Sequence, residues 1–182
     1  IDDIIGYDFV DQTVFNAGDA AIRDGFPFDE QGHGTQCSGI IAAKANNSIG
    51  VAGIAPKAKL VSLRAFDITG NAEEDDIAAA IVYAAMNGVR VLSMSFGDIV
   101  ESPLVRDAIN FAHEAGVTMF ASSGNDNQQP TRLLRRYPAS YEHVIAVGAL
   151  TEKLSLAGFS SYGSYVSLCA PGTGVPTTRV GN

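Results

Sequence analysis

Two short segments hold residue types capable of chemistry. One is Gly32-His33-Gly34-Thr35, placed to open a helix; the other is Ser122-Ser123-Gly124-Asn125, placed after an apolar strand. A histidine between two glycines can be approached closely from outside. At a helix amino end the dipole disfavours the imidazolium and keeps the ring neutral, as a general base requires. Gly32-x-Gly34 also invites a dinucleotide-loop reading. That reading fails because the third glycine of the fingerprint would fall on Cys37, and Phe28-Asp29-Glu30-Gln31 is no buried strand. An asparagine after a glycine is a common turn residue, so the Gly124-Asn125 pair alone leaves a turn and an amide donor both open. His113 and His143 read as partly exposed surface groups.

The elements that must position these segments follow from periodicity. Apolar residues Ile4-Ile5-Gly6-Tyr7-Asp8-Phe9-Val10 form a short run. Residues 34–44 read as a helix whose apolar stripe holds Cys37, Ile40 and Ile41. Residues 60–66 read as a buried strand. The acids Glu73, Glu74, Asp75 and Asp76 load the start of a further helix, with Ile77, Ala80, Ile81 and Ala84 as its stripe and Gly88 as its stop. Strands are predicted over residues 89–94, 117–121 and 144–148. Between the first two, Ser102-Pro103 opens a helix whose buried face is Val105, Ala108, Ile109 and Ala112, ending at Gly116. Alternating strands and helices indicate βαβ units and a mainly parallel sheet. In such a sheet the loops at the carboxyl ends of the strands carry the active site.

Composition bounds the rest. The chain has 182 residues, 46% of them hydrophobic, which suits one α/β domain over residues 1–182 and not a disordered chain. No apolar run reaches the ~18 residues of a membrane span. Twenty acids against twelve bases give a net charge of −8, a field that argues against nucleic acid as a partner. Cys37 and Cys169 cannot form a disulfide scaffold and read as unpaired hydrophobes. A start at Ile1 without Met or a signal-like segment reads as a processed, trimmed or partial polypeptide.

The motifs together resemble the subtilisin-like serine proteases. Gly32-His33-Gly34-Thr35-Gln36-Cys37-Ser38-Gly39 looks like the catalytic histidine segment, and Asn46-Asn47-Ser48-Ile49-Gly50-Val51 like the calcium loop after it. Ser93-Met94-Ser95-Phe96-Gly97 resembles a wall of the substrate cleft, and Ala121-Ser122-Ser123-Gly124-Asn125 the oxyanion segment. Tyr137-Pro138-Ala139, Phe159-Ser160-Ser161 and Ala170-Pro171-Gly172 continue the series in the family's order.

The resemblance implies a three-layer fold, a mainly parallel twisted sheet with helices on both faces, incomplete at both ends. It implies an endopeptidase with an Asp-His-Ser triad in which His33 is the base and Asn125 the oxyanion donor. Gly70, Asn71 and Ala72 on one side, and Ser95, Phe96 and Gly97 on the other, would sandwich an extended protein or peptide substrate; Ser123, Gly124 and Arg136 would complete its binding site. Calcium would be held by the carbonyls of Ala45, Ile49 and Val51 and the Asn47 side chain. Secretion is the localisation that the resemblance implies. It also implies a free, buried Cys37 under the site.

On the family's spacing Arg136 falls at the base of the primary specificity pocket and Asp126 at its rim. Arg136 either favours an acidic P1 side chain there, or turns outward with Arg135 or pairs with Asp126 and leaves an ordinary pocket. The acidic turn at residues 73–76 would lie beside the P4 subsite. Two family motifs are missing: no Asp-Ser/Thr-Gly strand end precedes His33, and no Gly-Thr-Ser follows Pro171-Gly172. The chain is therefore expected to be the central part of a longer protease, without its Asp-bearing strand and Ser-bearing helix, and inactive alone. The alternative is a non-catalytic relative that keeps the cleft as a peptide-binding module.

Overall fold

Strand and helix signals alternate along the chain, and so do the observed elements. In the computed structural model, which describes residues 6–10, 23–127 and 135–181, they run β1 (Tyr7–Asp8), α1 (His33–Ala42), β2 (Leu63–Arg64), α2 (Glu74–Met86), β3 (Val91–Met94), α3 (Pro103–Glu114), β4 (Thr118–Ser122), β5 (Val144–Leu150) and β6 (Val166–Pro171). The chain divides into two compact units, Ile1–Ala80 with Pro176–Asn182, and Ile81–Val175.

The second unit is built on a parallel sheet in the order β3-β4-β5-β6. Parallel neighbours need a crossover, and α3 supplies the one from β3 to β4. Met94, the end of β3, lies opposite Ala121, and Ser122, the end of β4, lies opposite Val147, so β3 and β4 end together while β5 runs on to Leu150. Met94, Met119, Ala121 and Ala146 are buried on these strands, and Val105, Ala108, Ile109 and Ala112 on α3. The four buried α3 residues are the four that the sequence pattern selects. Ser102 is the N-cap: its Oγ accepts from the Val105 N–H at 3.3 Å, and Pro103 follows at the first helical position. The Ser102 backbone is itself held by Tyr141, whose hydroxyl accepts from its N–H and donates to its carbonyl.

β6 was not anticipated. It is an edge strand with Leu168 and Cys169 exposed, which is where a terminal Pro171 is tolerated. The predicted helical and strand spans 73–88, 89–94, 102–116, 117–121 and 144–148 correspond to α2, β3, α3, β4 and β5.

The first unit departs further from expectation. Residues 60–66 give only the two-residue β2, half-buried, pairing Leu63 with Tyr7 and Arg64 with Asp8. Of the initial apolar run, Ile4 and Ile5 lie outside the described residues. Unpaired charge inside a protein is costly, so the buried Arg64 is neutralised twice, by Asp8 at 2.6 Å and by Glu30 at 2.9 Å.

The apolar stripe expected on α1 is not buried. Gly39 is its buried residue, Cys37 and Ile41 are half-buried, and Ile40 is exposed. The reason is the partner of this face: residues 177–178 cross the helix so closely that a Cβ on Gly39 would lie 2.1 Å from Thr178 Oγ1. Their hydroxyls donate to the carbonyls of Gln36 and Thr35. A polar strap on bare backbone replaces the apolar contact.

Candidate active site

His33 is the first residue of α1 and is exposed. The preceding Gly32 has φ +101° and no side chain to cap the helix, so the free N–H groups need another acceptor. Asp29 supplies it. Oδ1 accepts from the N–H groups of Gln31 (3.1 Å) and Gly32 (2.6 Å), and Oδ2 from the Thr35 N–H (2.7 Å) and hydroxyl (2.6 Å). The Gln31 side chain accepts from the His33 N–H at 2.9 Å. Burial pushes the Asp29 carboxyl up, but the hydrogen bonds from Thr35, Gly32 and Gln31 outweigh it and hold the pKa below its ordinary value. Asp29 carries no motif of its own. The uncapped glycine followed by a histidine is the signal that an outside acceptor is required.

Cys37, one turn along α1, has its Sγ 3.7 Å from His33 Nε2. The expectation that it is buried in an apolar stripe is corrected: it is half-buried and faces the imidazole, because the helix turns Gly39 inward instead. Neither Cys37 nor Cys169 is disulfide-bonded.

In the same unit, residues 67–71 form a closed turn ahead of Ala72. Oδ1 of the buried Asp67 accepts from the Thr69 N–H (2.8 Å) and hydroxyl (2.7 Å) and from the Asn71 N–H (2.9 Å). Gly70, at φ +84°, turns the chain and donates to the Asp67 carbonyl. Burial raises the Asp67 carboxyl, and hydrogen bonds from Thr69, Asn71 and Gly70 bring it below its ordinary value. Gly70 and Asn71 are exposed and Ala72 half-buried, leaving this edge open. The acidic turn that follows is not uniformly available: Asp76 is 1% exposed and accepts from Arg23 Nη2 at 2.6 Å.

The loop at residues 44–51 carries left-handed Asn46, Ser48 and Gly50, and Asn47 Oδ1 accepts from the Ile49 N–H at 3.1 Å. Asn47 and Ile49 are exposed, Ala45 and Val51 half-buried. Its oxygens are neutral: backbone carbonyls, the amides of Asn46 and Asn47, and the Ser48 hydroxyl. That is a hard donor set fit for Ca²⁺ without the charge of a strong site. Among the described residues no group of three or more His, Cys, Asp or Glu is arranged to hold a metal.

In the second unit, the carboxyl ends of β3 and β4 open into a cavity of about 210 Å³. It is lined by Ser95, Phe96 and Gly97 from one strand end, by Ser122, Gly124, Asn125 and Asp126 from the other, and by Arg136. Asn125 is exposed at its mouth. Arg136 lines the cavity, and its Nη2 pairs with Asp126, one of the arrangements left open above. Ser123, expected on the substrate side, lies beneath instead; it is 2% exposed and its hydroxyl donates to the Ser161 carbonyl at 3.0 Å. A wider hollow of about 350 Å³, lined by Thr151, Glu152, Lys153, Ser155 and Thr173, brings together none of the residues singled out above.

His113 and His143 are exposed, as expected, and their rings stack with centroids 3.7 Å apart. Tyr165 escaped notice in the sequence: its hydroxyl donates to the Ser123 carbonyl at 2.6 Å.

The profile of the Subtilase family (Peptidase S8) matches residues 9–181. A thermophilic serine proteinase from Bacillus sp. (strain AK1) is 40% identical over 179 residues, which is 98% of this chain and 41% of that protein. The minor extracellular protease Epr of Bacillus subtilis (strain 168) is 40% identical over 151 residues, 82% of this chain and 23% of that protein. A solved protease from Pseudoalteromonas arctica PAMC 21717 superposes with a TM-score of 0.82 at 30% identity, covering 92% of this chain and 56% of that one. The chain thus spans less than half the length of these two curated relatives.

Proposed function

This chain belongs to the subtilase family, and from that premise we propose that it carries the histidine and the oxyanion asparagine of a serine endopeptidase. The observation that supports this reading most is the cavity at the ends of β3 and β4. There the exposed Asn125 amide and the Ser95–Gly97 backbone line one space beside Gly124. Hydrolysis of a peptide bond needs a base for the nucleophile's proton and a donor where negative charge develops on the carbonyl oxygen.

His33 takes the first role: it accepts the proton from the attacking serine and returns it to the leaving amine. Its helix-start position is fixed through Asp29 and Gln31. Asn125 takes the second. The serine it would serve and the aspartate behind His33 match no motif between Ile1 and Asn182 and are supplied in this reading by the family pattern. The edges at Gly70, Asn71 and Ala72 and at Ser95, Phe96 and Gly97 bind an extended peptide by strand addition. Protein is the substrate class, and Arg136 with Asp126 sets the charge of the primary pocket.

Two further parts of the reading rest on less. The carbonyls of Ala45, Ile49 and Val51 and the Asn47 amide oxygen would hold a weakly bound structural calcium ion, whose chemistry is to cross-link the loop after α1. Secretion accords with the similarity to the minor extracellular protease Epr. Among the described residues no helix is long and apolar enough to cross a membrane. The test is turnover of fluorogenic peptides by the protein expressed from its full open reading frame, with and without His33→Ala. Peptide binding without turnover would support the non-catalytic module instead.

A further inference from the structure

The loop carrying Asn125 is tied down from behind by the chain between β5 and β6. Ser123 Oγ donates to the Ser161 carbonyl at 3.0 Å, and the Ser161 N–H donates to the Gly124 carbonyl at 2.9 Å. The Asp126 N–H reaches Ser161 Oγ at 3.3 Å, and the Asn127 N–H reaches the Phe159 carbonyl at 2.8 Å. These four bonds all end on the turn at residues 159–161. The fifth comes from elsewhere: the Tyr165 hydroxyl, one residue before β6, meets the Ser123 carbonyl at 2.6 Å.

That fifth bond acts on the peptide with the least restraint of its own. In a trans peptide the carbonyl and the following N–H point to opposite edges. Holding the Ser123 carbonyl therefore sets the plane whose other edge is the Gly124 N–H, for which no acceptor exists among the described residues. Gly124 lines the cavity and stands at φ +108°, where an L side chain is strained. A Cβ there would lie 3.0 Å from Ser161 Oγ and 3.2 Å from Arg136 Cγ, so only glycine suits the position. Glycine also leaves its own backbone the freest of any residue, one step before the residue whose amide must be aimed. Burial raises the Tyr165 phenol above its ordinary pKa although the bond to Ser123 opposes this. The hydroxyl therefore remains a donor throughout the neutral range.

We propose that Tyr165 is a positioning residue for the oxyanion loop, acting through the Ser123 carbonyl to fix the peptide plane from which Asn125 is presented. The proposal rests on the reading of Asn125 as oxyanion donor. An amide aimed at developing charge works in the transition state and contributes little to ground-state binding, so a loosened loop lowers kcat and spares KM.

The test uses the protein expressed from its full open reading frame, with kcat, KM and melting temperature measured for Tyr165→Phe. Phenylalanine keeps the ring and removes only the hydroxyl. The expected result is a fall in kcat of about tenfold, the equivalent of one hydrogen bond, with KM within about twofold of the parent. Tyr141→Phe is the control: it removes a phenol that donates to the Ser102 carbonyl at 2.8 Å and accepts from the Ser102 N–H at 2.9 Å, and should lower the melting temperature without lowering kcat. An unchanged kcat in Tyr165→Phe overturns the proposal. So does an equal fall in Tyr141→Phe, which would mark the effect as one of general stability. Asn125→Ala separates the two layers. If it depresses turnover while Tyr165→Phe does not, only the brace is lost; if turnover ignores Asn125→Ala, the oxyanion reading and the brace fall together.

Discussion

Replacing Asp29 by alanine removes the acceptor for four donors at the start of α1, namely the N–H groups of Gln31, Gly32 and Thr35 and the Thr35 hydroxyl. Gly32 cannot compensate, because it has no side chain. A lost cap costs about 1 kcal/mol and up to about 2. Hydrogen bonds to an ionised group are worth more than neutral ones, so a destabilisation of about 2 kcal/mol is expected. For a domain of this size that lowers the melting temperature by roughly 4–8 °C. Asp29→Asn keeps one carboxyl-like oxygen for Gln31 and Gly32 but turns an amide NH₂ toward the Thr35 N–H, so it should recover only part of the loss.

The pH dependence has a definite sign. Folding lowers the Asp29 pKa, so the stabilisation is present above the unfolded-state value of about 4 and is lost as pH falls through the folded-state value. Thermal melts of parent, Asp29→Ala and Asp29→Asn from pH 7 down to pH 3 measure this. The gap between parent and Asp29→Ala should narrow with acid. A melting temperature for Asp29→Ala within 1 °C of the parent at pH 7, or a gap that widens in acid, would refute the capping argument.

Three other outcomes are expected. Asp126→Asn removes the carboxylate that pairs with Arg136, so the ratio of kcat/KM for Glu over Leu at P1 should rise, and Arg136→Gly should lower it; a ratio that neither variant moves eliminates a charged primary pocket. Asp67→Ala frees the turn behind Gly70, Asn71 and Ala72 and should raise KM for extended peptides more than for a short substrate, whereas equal changes for both would place Asp67 in stability alone. If residues 44–51 hold calcium, excess chelator should lower the melting temperature by the linkage RT ln(1 + [Ca²⁺]/Kd), about 2.7 kcal/mol of stability at a hundredfold excess over Kd, and Asn47→Ala should abolish the difference. Identical melts with and without chelator argue against the site.

What was legible in the sequence was local. Helix α3 announces itself by a serine cap, a proline at the first helical position and four apolar residues on one face, and all of those signals act within a few residues. The strand ends holding Ser95–Gly97 and Gly124–Asn125 follow from βα alternation, and they do converge on one cavity. What stayed hidden depended on distant chain. The buried face of α1 is set by Thr177 and Thr178, more than 140 residues further on, so periodicity around Ile40 and Ile41 pointed to the wrong face. Strand β2 exists because Leu63 meets Tyr7, and nothing in its own apolar run limits it to two residues. Asp29 and Tyr165 act through single backbone groups, and no pattern of residue types reveals which carbonyl or N–H a side chain reaches.

The central claim is that His33 is the base of a serine endopeptidase. The most direct measurement is kcat/KM for peptide hydrolysis by the protein expressed from its full open reading frame, compared with the same protein carrying His33→Ala. His33 is exposed and its contact with Cys37 Sγ is an exposed one, so the substitution should leave the melting temperature close to the parent's. The account predicts a fall in kcat/KM of at least about a hundredfold at unchanged stability. Turnover that survives His33→Ala in a folded, purified protein would contradict it.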